Sequence, residues 1–190
     1  VNSLIITGAG DAFCAGGDVK SMNSSKNKNE GWGKDQSDEE TIKDLQVKQM
    51  TLTHVLYNFS KPTIAAIPGA AAGAGLSIAL ACDFRFVNEN AFVIAGYGKI
   101  ALTGDYGMSW LLPRIVGVTK AKDMMFSNKK IFAKEGLKIC LFDNIIKGDG
   151  LLKSTLEYAN LLGSFSSFAL KAMKKNINNS YELNLEEALY

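Results

Sequence analysis

The sequence predicts a single α/β domain, and two observations lead to this fold class. Short apolar runs with strand character alternate along the chain with segments of helical periodicity, which is the pattern of layered α/β proteins. The chain has 190 residues, of which 47% are hydrophobic and 21% charged. A chain of this length and composition suits one domain that buries a substantial core.

The predicted elements follow from the local patterns. Apolar runs predict strands at residues 3–7, 63–67, 84–87 and 91–94. Helical periodicity predicts helices around residues 41–58, 75–81, 108–116, 119–128, 133–138 and 150–162. Residues 22–40 are polar and low in complexity, so we expect a mobile loop that either closes over a ligand or is a plain surface loop.

Two glycine-rich turns carry most of the functional information. One spans residues 12–18, Ala-Phe-Cys-Ala-Gly-Gly-Asp, and the other spans residues 69–75, Gly-Ala-Ala-Ala-Gly-Ala-Gly. Each follows a strand-like run and precedes a predicted helix, so each would present free backbone N–H groups at the end of a strand. Side by side, the two turns could bind one oxygen from two directions and form an oxyanion hole. Either turn alone is equally typical of tight packing in any α/β protein.

Two other glycine-rich sites are excluded by sequence. Counted from Gly8-Ala9-Gly10, the last glycine position of a dinucleotide fingerprint holds Phe13. Counted from Gly73-Ala74-Gly75, the same position holds Ile78. No Gly-Lys-Ser/Thr ending is present either, so a nucleoside triphosphate P-loop is not supported.

Charge and cysteine content exclude further classes. The net charge of +2, with scattered lysines, does not indicate a nucleic-acid partner, and no apolar run approaches the length of a membrane span. No cluster of His, Cys and carboxylate residues has metal-ligand spacing, so we predict no metal. Cys14, Cys82 and Cys140 include no C-x-x-C pair, which favours reduced thiols and a cytoplasmic protein. Because the chain opens at Val1 directly into a strand, we expect its natural N-terminus to be missing. A location in an organellar matrix is therefore the alternative to the cytoplasm.

Three segments together resemble one family. Residues 12–18, residues 61–83 and residues 105–117, Asp-Tyr-Gly-Met-Ser-Trp-Leu-Leu-Pro-Arg-Ile-Val-Gly, are similar to segments of the crotonase superfamily of enoyl-CoA hydratases and isomerases, and they occur in the same order. The resemblance implies a spiral of ββα units over residues 1–148, with its N-terminal part missing. A partial C-terminal helical region would follow at residues 149–190.

The resemblance also implies an acyl-CoA substrate and the residues that would bind it. The thioester carbonyl would accept the backbone N–H groups of Ala15 and Ala74. The substrate would further contact residues of the two turns and one aromatic side chain: Gly16, Gly17, Asp18, Gly73 and Tyr97. Lys20 either approaches the CoA phosphates or is a solvated lysine. No cofactor is implied beyond the CoA moiety of the substrate.

The acid and base residues depart from the hydratases of the family. Their two glutamates correspond to Ser77 and Tyr97 here, so hydration, which needs one group to activate water and another to protonate carbon, is not the first expectation. Asp105 stands where isomerases and dehalogenases of the superfamily keep a catalytic aspartate, although Asp105 could also simply cap the helix that begins near Gly107. The resemblance therefore favours an isomerase with Asp105 as proton shuttle. A 2-enoyl-CoA hydratase, and a non-catalytic protein that binds CoA esters, are the alternatives.

Three further residues or segments complete the expectations. His54 is expected to be a structural or surface histidine, and Asp83 a structural carboxylate. Ala169, Met173 and Ile177 recur at helical spacing, and Leu183 and Leu185 lie beyond them. Since crotonase-like proteins associate through this region, the resemblance implies a homotrimer or a hexamer made of two trimers.

Overall fold

The computed structural model describes residues 1–18 and 37–189, which form two four-stranded sheets and the helices around them. The strands are β1 (Leu4–Thr7), β2 (Ala12–Cys14), β3 (Thr63–Ile67), β4 (Ala70–Ala72), β5 (Phe84–Asn88), β6 (Phe92–Ile94), β7 (Ile131–Phe132) and β8 (Asn144–Ile146). The α-helices are α1 (Asp38–Gln49), α2 (Val55–Tyr57), α3 (Ala74–Ala81), α4 (Met108–Val116), α5 (Val118–Ser127), α6 (Ala133–Lys138), α7 (Leu151–Gly163), α8 (Ser167–Asn179) and α9 (Leu185–Ala188). A π-helix at Met50–His54 joins α1 to α2, and a 3-10 helix spans Tyr97–Ile100.

The strand order shows a spiral. One sheet has the order β1-β3-β5-β8 and the other β2-β4-β6-β7, and within the described residues only the β6–β7 pair is antiparallel. From β1 to β6, consecutive strands therefore alternate between the two sheets, and each turn of the chain adds one strand to both. β7 then joins the second sheet beside β6, and β8 completes the first. This arrangement confirms the predicted α/β class and the expected spiral of ββα units.

Strand β3 is buried along its whole length, which explains its continuous apolar sequence. Alternate residues of β3 belong to two different hydrophobic clusters. Ala65 and Ile67 pack in the main core, whereas Ile64 and Ala66 pack under α7. The buried helix α3 lies in the main core with Leu76 and Leu80, as the sequence predicted.

Several predicted boundaries were wrong. The two glycine-rich segments were predicted as turns, but their first halves are the short strands β2 and β4. Strands of two or three residues are too short to produce a recognisable period, and these strands exist because each pairs with a neighbour in its sheet. The strands β7 and β8 were missed for the same reason.

The predicted loop of residues 22–40 ends earlier than expected. Ser37 is the N-cap of α1 and forms a capping box with Glu40, so residues 37–40 start the helix. Residues 22–36, Lys20 and the helix predicted after the first turn lie outside the described residues.

Other predicted structural roles are confirmed. Asp83 accepts hydrogen bonds from the backbone N–H and hydroxyl of Thr63 and forms a 2.8 Å ion pair with Lys174, which attaches α8 to the core. The three cysteines are free thiols, and burial raises the pKa of Cys82 to about 12. Across residues 1–18 and 37–189, no helix is long and apolar enough to cross a bilayer.

Candidate active site

The two glycine-rich segments lie in contact. Their strands β2 and β4 are parallel neighbours, so both segments leave the sheet at the same edge. A Cβ added to Gly16, whose φ is 84°, would lie 2.7 Å from the Ala72 carbonyl oxygen and 3.4 Å from the Ala74 nitrogen. A Cβ added to Gly75 would lie 2.3 Å from the Cys14 carbonyl oxygen. Glycine is therefore required at both positions by the close approach of the two backbones.

Each segment provides a backbone amide at this edge. Ala74 is the first residue of α3, and the amides of a helix's first turn have no acceptor within the helix. The N-cap of α3 is Gly73, with φ of 52° and no side-chain cap, and its own N–H donates to Ile94 O at 3.1 Å. Ala15 directly follows β2, and its methyl group is exposed. The amides of α3 also lie at the positive end of the helix dipole, which favours a developing negative charge.

A cavity of about 610 Å³ opens beside the two segments. Five of the predicted binding residues contribute to its lining: Gly16, Gly17, Asp18, Ala74 and Tyr97. Ala15 and Gly73 adjoin lining residues in the chain but are not part of the lining themselves. The apolar part of its wall comes from α1, the π-helix, α3 and the loop after the 3-10 helix: Leu45, Leu52, Ile78 and Leu102. Tyr97 and the segment from Thr103 to Tyr106 form another part of the wall, and Cys14 and Lys48 complete it.

Tyr97 and Asp105 form a hydrogen-bonded pair in this wall. The Tyr97 hydroxyl donates to Asp105 Oδ1 at 2.5 Å. Tyr97 is 5% exposed. Burial raises the pKa of the Tyr97 phenol above its ordinary value, and the hydrogen bond to Asp105 raises this pKa further. The phenol is therefore a neutral hydrogen-bond donor at physiological pH.

Asp105 does not cap α4 with its side chain. The N-cap residue of α4 is Gly107, and no side-chain hydrogen bond caps this helix. The backbone carbonyl of Asp105 accepts from the Met108 N–H at 3.1 Å, while its carboxylate bonds to Tyr97. The capping alternative from the sequence is therefore wrong, and Asp105 is part of the cavity wall.

Ser77 is buried beneath the Tyr97–Asp105 part of the wall and does not line the cavity. Its side chain is fully buried, and its hydroxyl donates to the Asp105 carbonyl oxygen at 3.1 Å. Of the two positions that the resemblance aligns with the glutamates of the hydratases, Tyr97 therefore lines the cavity and Ser77 supports the Asp105 loop.

The contribution of α1 to the cavity was not visible in the sequence. Lys48, in an ion pair with Asp44 at 2.6 Å, lines the cavity. Gln49 Oε1 accepts a hydrogen bond from the Tyr106 N–H at 2.7 Å. The spacing of Lys48 and Gln49 carries no motif, and only the packing of α1 against the distant loop reveals them. His54 is exposed on the π-helix, as predicted.

No group of three His, Cys, Asp or Glu side chains within residues 1–18 and 37–189 is arranged to hold a metal ion.

Comparison with known proteins places this arrangement in a family. The family model described as enoyl-CoA hydratase/isomerase matches residues 1–190. Enoyl-CoA isomerase/hydratase fer4 of Mycosarcoma maydis is 32% identical over 191 residues, which cover 98% of this chain and 64% of that protein. The short-chain-enoyl-CoA hydratase of Clostridium acetobutylicum is 30% identical over 193 residues, which cover 100% of this chain and 68% of that protein. The crystal structure of an enoyl-CoA hydratase from Polaromonas sp. JS666 has a TM-score of 0.88 at 29% identity, covering 100% of this chain and 70% of that one.

The fold and these matches define an enzyme of the crotonase superfamily, which confirms the resemblance seen in the sequence. More narrowly, the chain belongs to the enoyl-CoA hydratase/isomerase family. It spans about two thirds of the length of the relatives it matches, 64% of one and 68% of the other.

Proposed function

We propose that this protein isomerises an unsaturated or cyclic acyl-CoA thioester through an enolate, with Asp105 as the proton shuttle. The observation that carries the proposal is the position of Asp105, which lines the cavity beside the two glycine-rich segments and whose carboxylate is held by Tyr97. The second described carboxylate of the lining, Asp18, is exposed at the end of the first segment.

The first part of the mechanism is stabilisation of the enolate. The backbone N–H groups of Ala15 and Ala74 donate to the thioester oxygen, and these bonds strengthen as negative charge develops on that oxygen. Amides that are already oriented need no reorganisation during the reaction, and one such donor contributes about 3 kcal/mol to transition-state stabilisation in other enzymes.

The second part is proton transfer. Asp105 takes a proton from one carbon of the acyl group, so a C–H bond breaks, an O–H bond forms and the electron pair moves into the enolate. The same proton then returns to a different carbon, and the enolate collapses to the isomeric thioester. Because Tyr97 donates to Oδ1, the second carboxylate oxygen of Asp105 is the one we assign to this transfer.

Hydration is the second candidate function, and the Tyr97–Asp105 pair is the observation that favours it. In this reading Asp105 activates a water molecule, and Tyr97 or another group supplies the proton to carbon. The raised pKa of Tyr97 leaves its phenol a weak acid, and Ser77 offers no carboxylate, so we rank hydration below isomerisation.

The test uses the protein in deuterium oxide with two thioesters. We expect 3-hexenoyl-CoA to be isomerised, with label entering only as far as the carboxyl proton exchanges with solvent. We expect crotonyl-CoA to be hydrated slowly or not at all, as followed by mass spectrometry and NMR. Rapid formation of 3-hydroxybutyryl-CoA that is lost in Asp105→Asn would make the hydratase proposal correct. Binding of both thioesters without turnover would indicate a non-catalytic protein.

We also propose assembly into a trimer or a pair of trimers through the C-terminal helices. Met173 and Ile177 of α8 are 58% and 65% exposed, and Leu185 in α9 is 77% exposed. Apolar side chains that repeat along a helix and face solvent in a single copy are typical of a subunit contact. Light scattering of a full-length protein should give a trimer or hexamer, and a monomer at micromolar concentration would contradict the proposal.

A further inference from the structure

The peptide unit between Asp105 and Tyr106 is held by side chains at both of its polar atoms. Its carbonyl oxygen, which belongs to Asp105, accepts the Ser77 hydroxyl at 3.1 Å. Its N–H, which belongs to Tyr106, donates to Gln49 Oε1 at 2.7 Å. The plane of this peptide is therefore defined by two residues that come from different helices.

The backbone around this peptide has conformations that need such support. Tyr106 has φ of 50°, between Gly104 at 106° and Gly107 at 81°. A bulky residue is seldom found in the left-handed region, and it stays there only when surrounding contacts hold it. The bonds from Ser77 and Gln49, together with the Met108 N–H bond to the Asp105 carbonyl, are contacts of this kind.

The two supporting residues also connect Asp105 to the other functional groups of the cavity. Ser77 lies in α3, one turn after Ala74, whose amide is an oxyanion donor in the proposed function. Gln49 is the last residue of α1 before the π-helix, and α1 carries Leu45 and Lys48 of the cavity wall. A rigid helix thus sets the separation between the Ala74 amide and the Asp105 loop. Single-turn π segments are frequent at functional sites, where they reorient side chains.

We propose that Gln49 and Ser77 are positioning residues that orient the Asp105 carboxylate relative to the oxyanion amides. The inference rests on the proposed function, because it assigns Asp105 the proton transfer. Ser77 then does more than leave a carboxylate out of this position: its hydroxyl holds the carbonyl oxygen of the Asp105 peptide. Neither residue touches the substrate, and both act through the direction of the Asp105 side chain.

The first experiment measures isomerisation of 3-hexenoyl-CoA and binding of hexanoyl-CoA by four variants. Gln49→Met and Ser77→Ala each remove one bond to the peptide, and we expect each to lower kcat about 10- to 100-fold, as small misplacements of catalytic groups do. The Kd for hexanoyl-CoA should change less than about twofold, because the amides that bind the thioester oxygen are untouched. Gln49→Glu keeps an acceptor oxygen and should restore most of kcat. Gln46→Met, an exposed position one turn earlier in α1, is the matched control and should behave as the wild type.

The second experiment measures hydrogen exchange of the Tyr106 amide. Gln49→Met should make this amide exchange faster, whereas Gln49→Glu should keep it protected, since the protection comes from the Gln49 acceptor. A double variant of Gln49→Met and Ser77→Ala should lose less than the product of the single effects, because both bonds act on one peptide.

Asp105→Asn, measured in parallel, separates the possible failures. If Asp105→Asn turns over 3-hexenoyl-CoA at the wild-type rate, or if the wild type does not isomerise it, the proposed function fails and the positioning roles fail with it. If Asp105→Asn is inactive while Gln49→Met and Ser77→Ala keep full kcat, the positioning inference alone is overturned. A parallel fall in kcat, thioester binding and melting temperature would also overturn it, because that pattern indicates a purely structural role. Should Gln49→Met fail to fold, Ser77→Ala, which deletes one hydroxyl, decides the question.

Discussion

The proposed function uses two sides of the cavity, and they are built in different ways. On the first side, called the amide side, the proposed oxyanion donors are the backbone amides of Ala15 and Ala74, whose positions follow directly from paired strands and a helix start. On the second side, called the side-chain side, the Tyr97 side chain from a 3-10 helix is hydrogen-bonded to the Asp105 side chain from a loop. The first side depends on where the main chain runs, and the second depends on which atoms the side chains carry.

This difference determines what each side tolerates. At the amide side the identity of the donor residue matters little, but Gly16 and Gly75 must stay small because each lies against the other segment. At the side-chain side, replacing one oxygen atom of Asp105 or Tyr97 is expected to change proton transfer, while the fold is expected to persist. The predictions below test the two sides separately, each by the substitution expected to lower kcat most through that side.

The largest effect is expected from Asp105→Asn. The amide side chain can still accept the Tyr97 hydroxyl, but it cannot take a proton, so kcat should fall about 10²- to 10⁴-fold, the range associated with general acid–base catalysis. Thioester binding and the melting temperature should stay close to the wild type. Steady-state kinetics, calorimetry of hexanoyl-CoA binding and thermal unfolding test this result.

The control for this variant is Asp149→Asn, which changes an exposed carboxylate before α7 that does not line the cavity. It should leave kcat unchanged. Undiminished turnover in Asp105→Asn would remove Asp105 from the mechanism and leave only the amide side with a catalytic role.

The next largest effect is expected from Ala74→Pro. Proline at the first position of a helix is tolerated, since the missing N–H has no partner within the helix, yet it deletes the proposed oxyanion donor. Loss of one such donor costs about 10²- to 10³-fold in kcat. The matched variant Ala74→Gly keeps the N–H and should lose far less.

Thermal unfolding must first show that Ala74→Pro is folded. If the folded proline variant then retains normal kcat, the second donor lies elsewhere on the amide side. A loss in Ala74→Gly equal to that in Ala74→Pro would instead show that the methyl group matters more than the amide.

The smallest effect on kcat is expected from Tyr97→Phe. This change removes one hydrogen bond to Asp105, and a loss of about tenfold corresponds to one net hydrogen bond. An unchanged kcat would show that Asp105 is oriented sufficiently without Tyr97. A loss as large as that of Asp105→Asn would instead make Tyr97 a direct participant in proton transfer.

The same variant has a distinct pH signature. The pKa of Tyr97 is raised in the folded state, first by burial and then by Asp105, above the ordinary value of 10.0. The unfolded chain therefore loses this proton first, so the free energy of unfolding should fall as the pH rises above 10.0 toward the folded-state pKa. Chemical denaturation of the wild type and of Tyr97→Phe between pH 8 and pH 11 should show a steeper alkaline loss in the wild type. Parallel curves would contradict the raised pKa.

The sequence by itself determined the features that depend on neighbouring residues. The alternation of apolar runs and helical periods predicted the α/β class and the positions of β3, α3 and α4, because each is a long or strongly patterned segment. The glycine-rich segments were visible because close backbone contact excludes larger side chains. Three motifs in order were sufficient to indicate the family.

Only the tertiary structure decided how the side-chain side is assembled. Tyr97 and Asp105 are 8 residues apart, Ser77 and Asp105 are 28 apart, and Gln49 and Tyr106 are 57 apart. From sequence alone Asp105 could equally have capped α4, since an aspartate before a helix has that option wherever its carboxylate is free to turn back. The buried Tyr97 hydroxyl offers that carboxylate a competing partner, and this partner exists only because the spiral brings the 3-10 helix, α3 and α1 around one loop. Local patterns specify the strands and helices, but the partner of a polar side chain is selected by whichever distant group the packing places within hydrogen-bond distance.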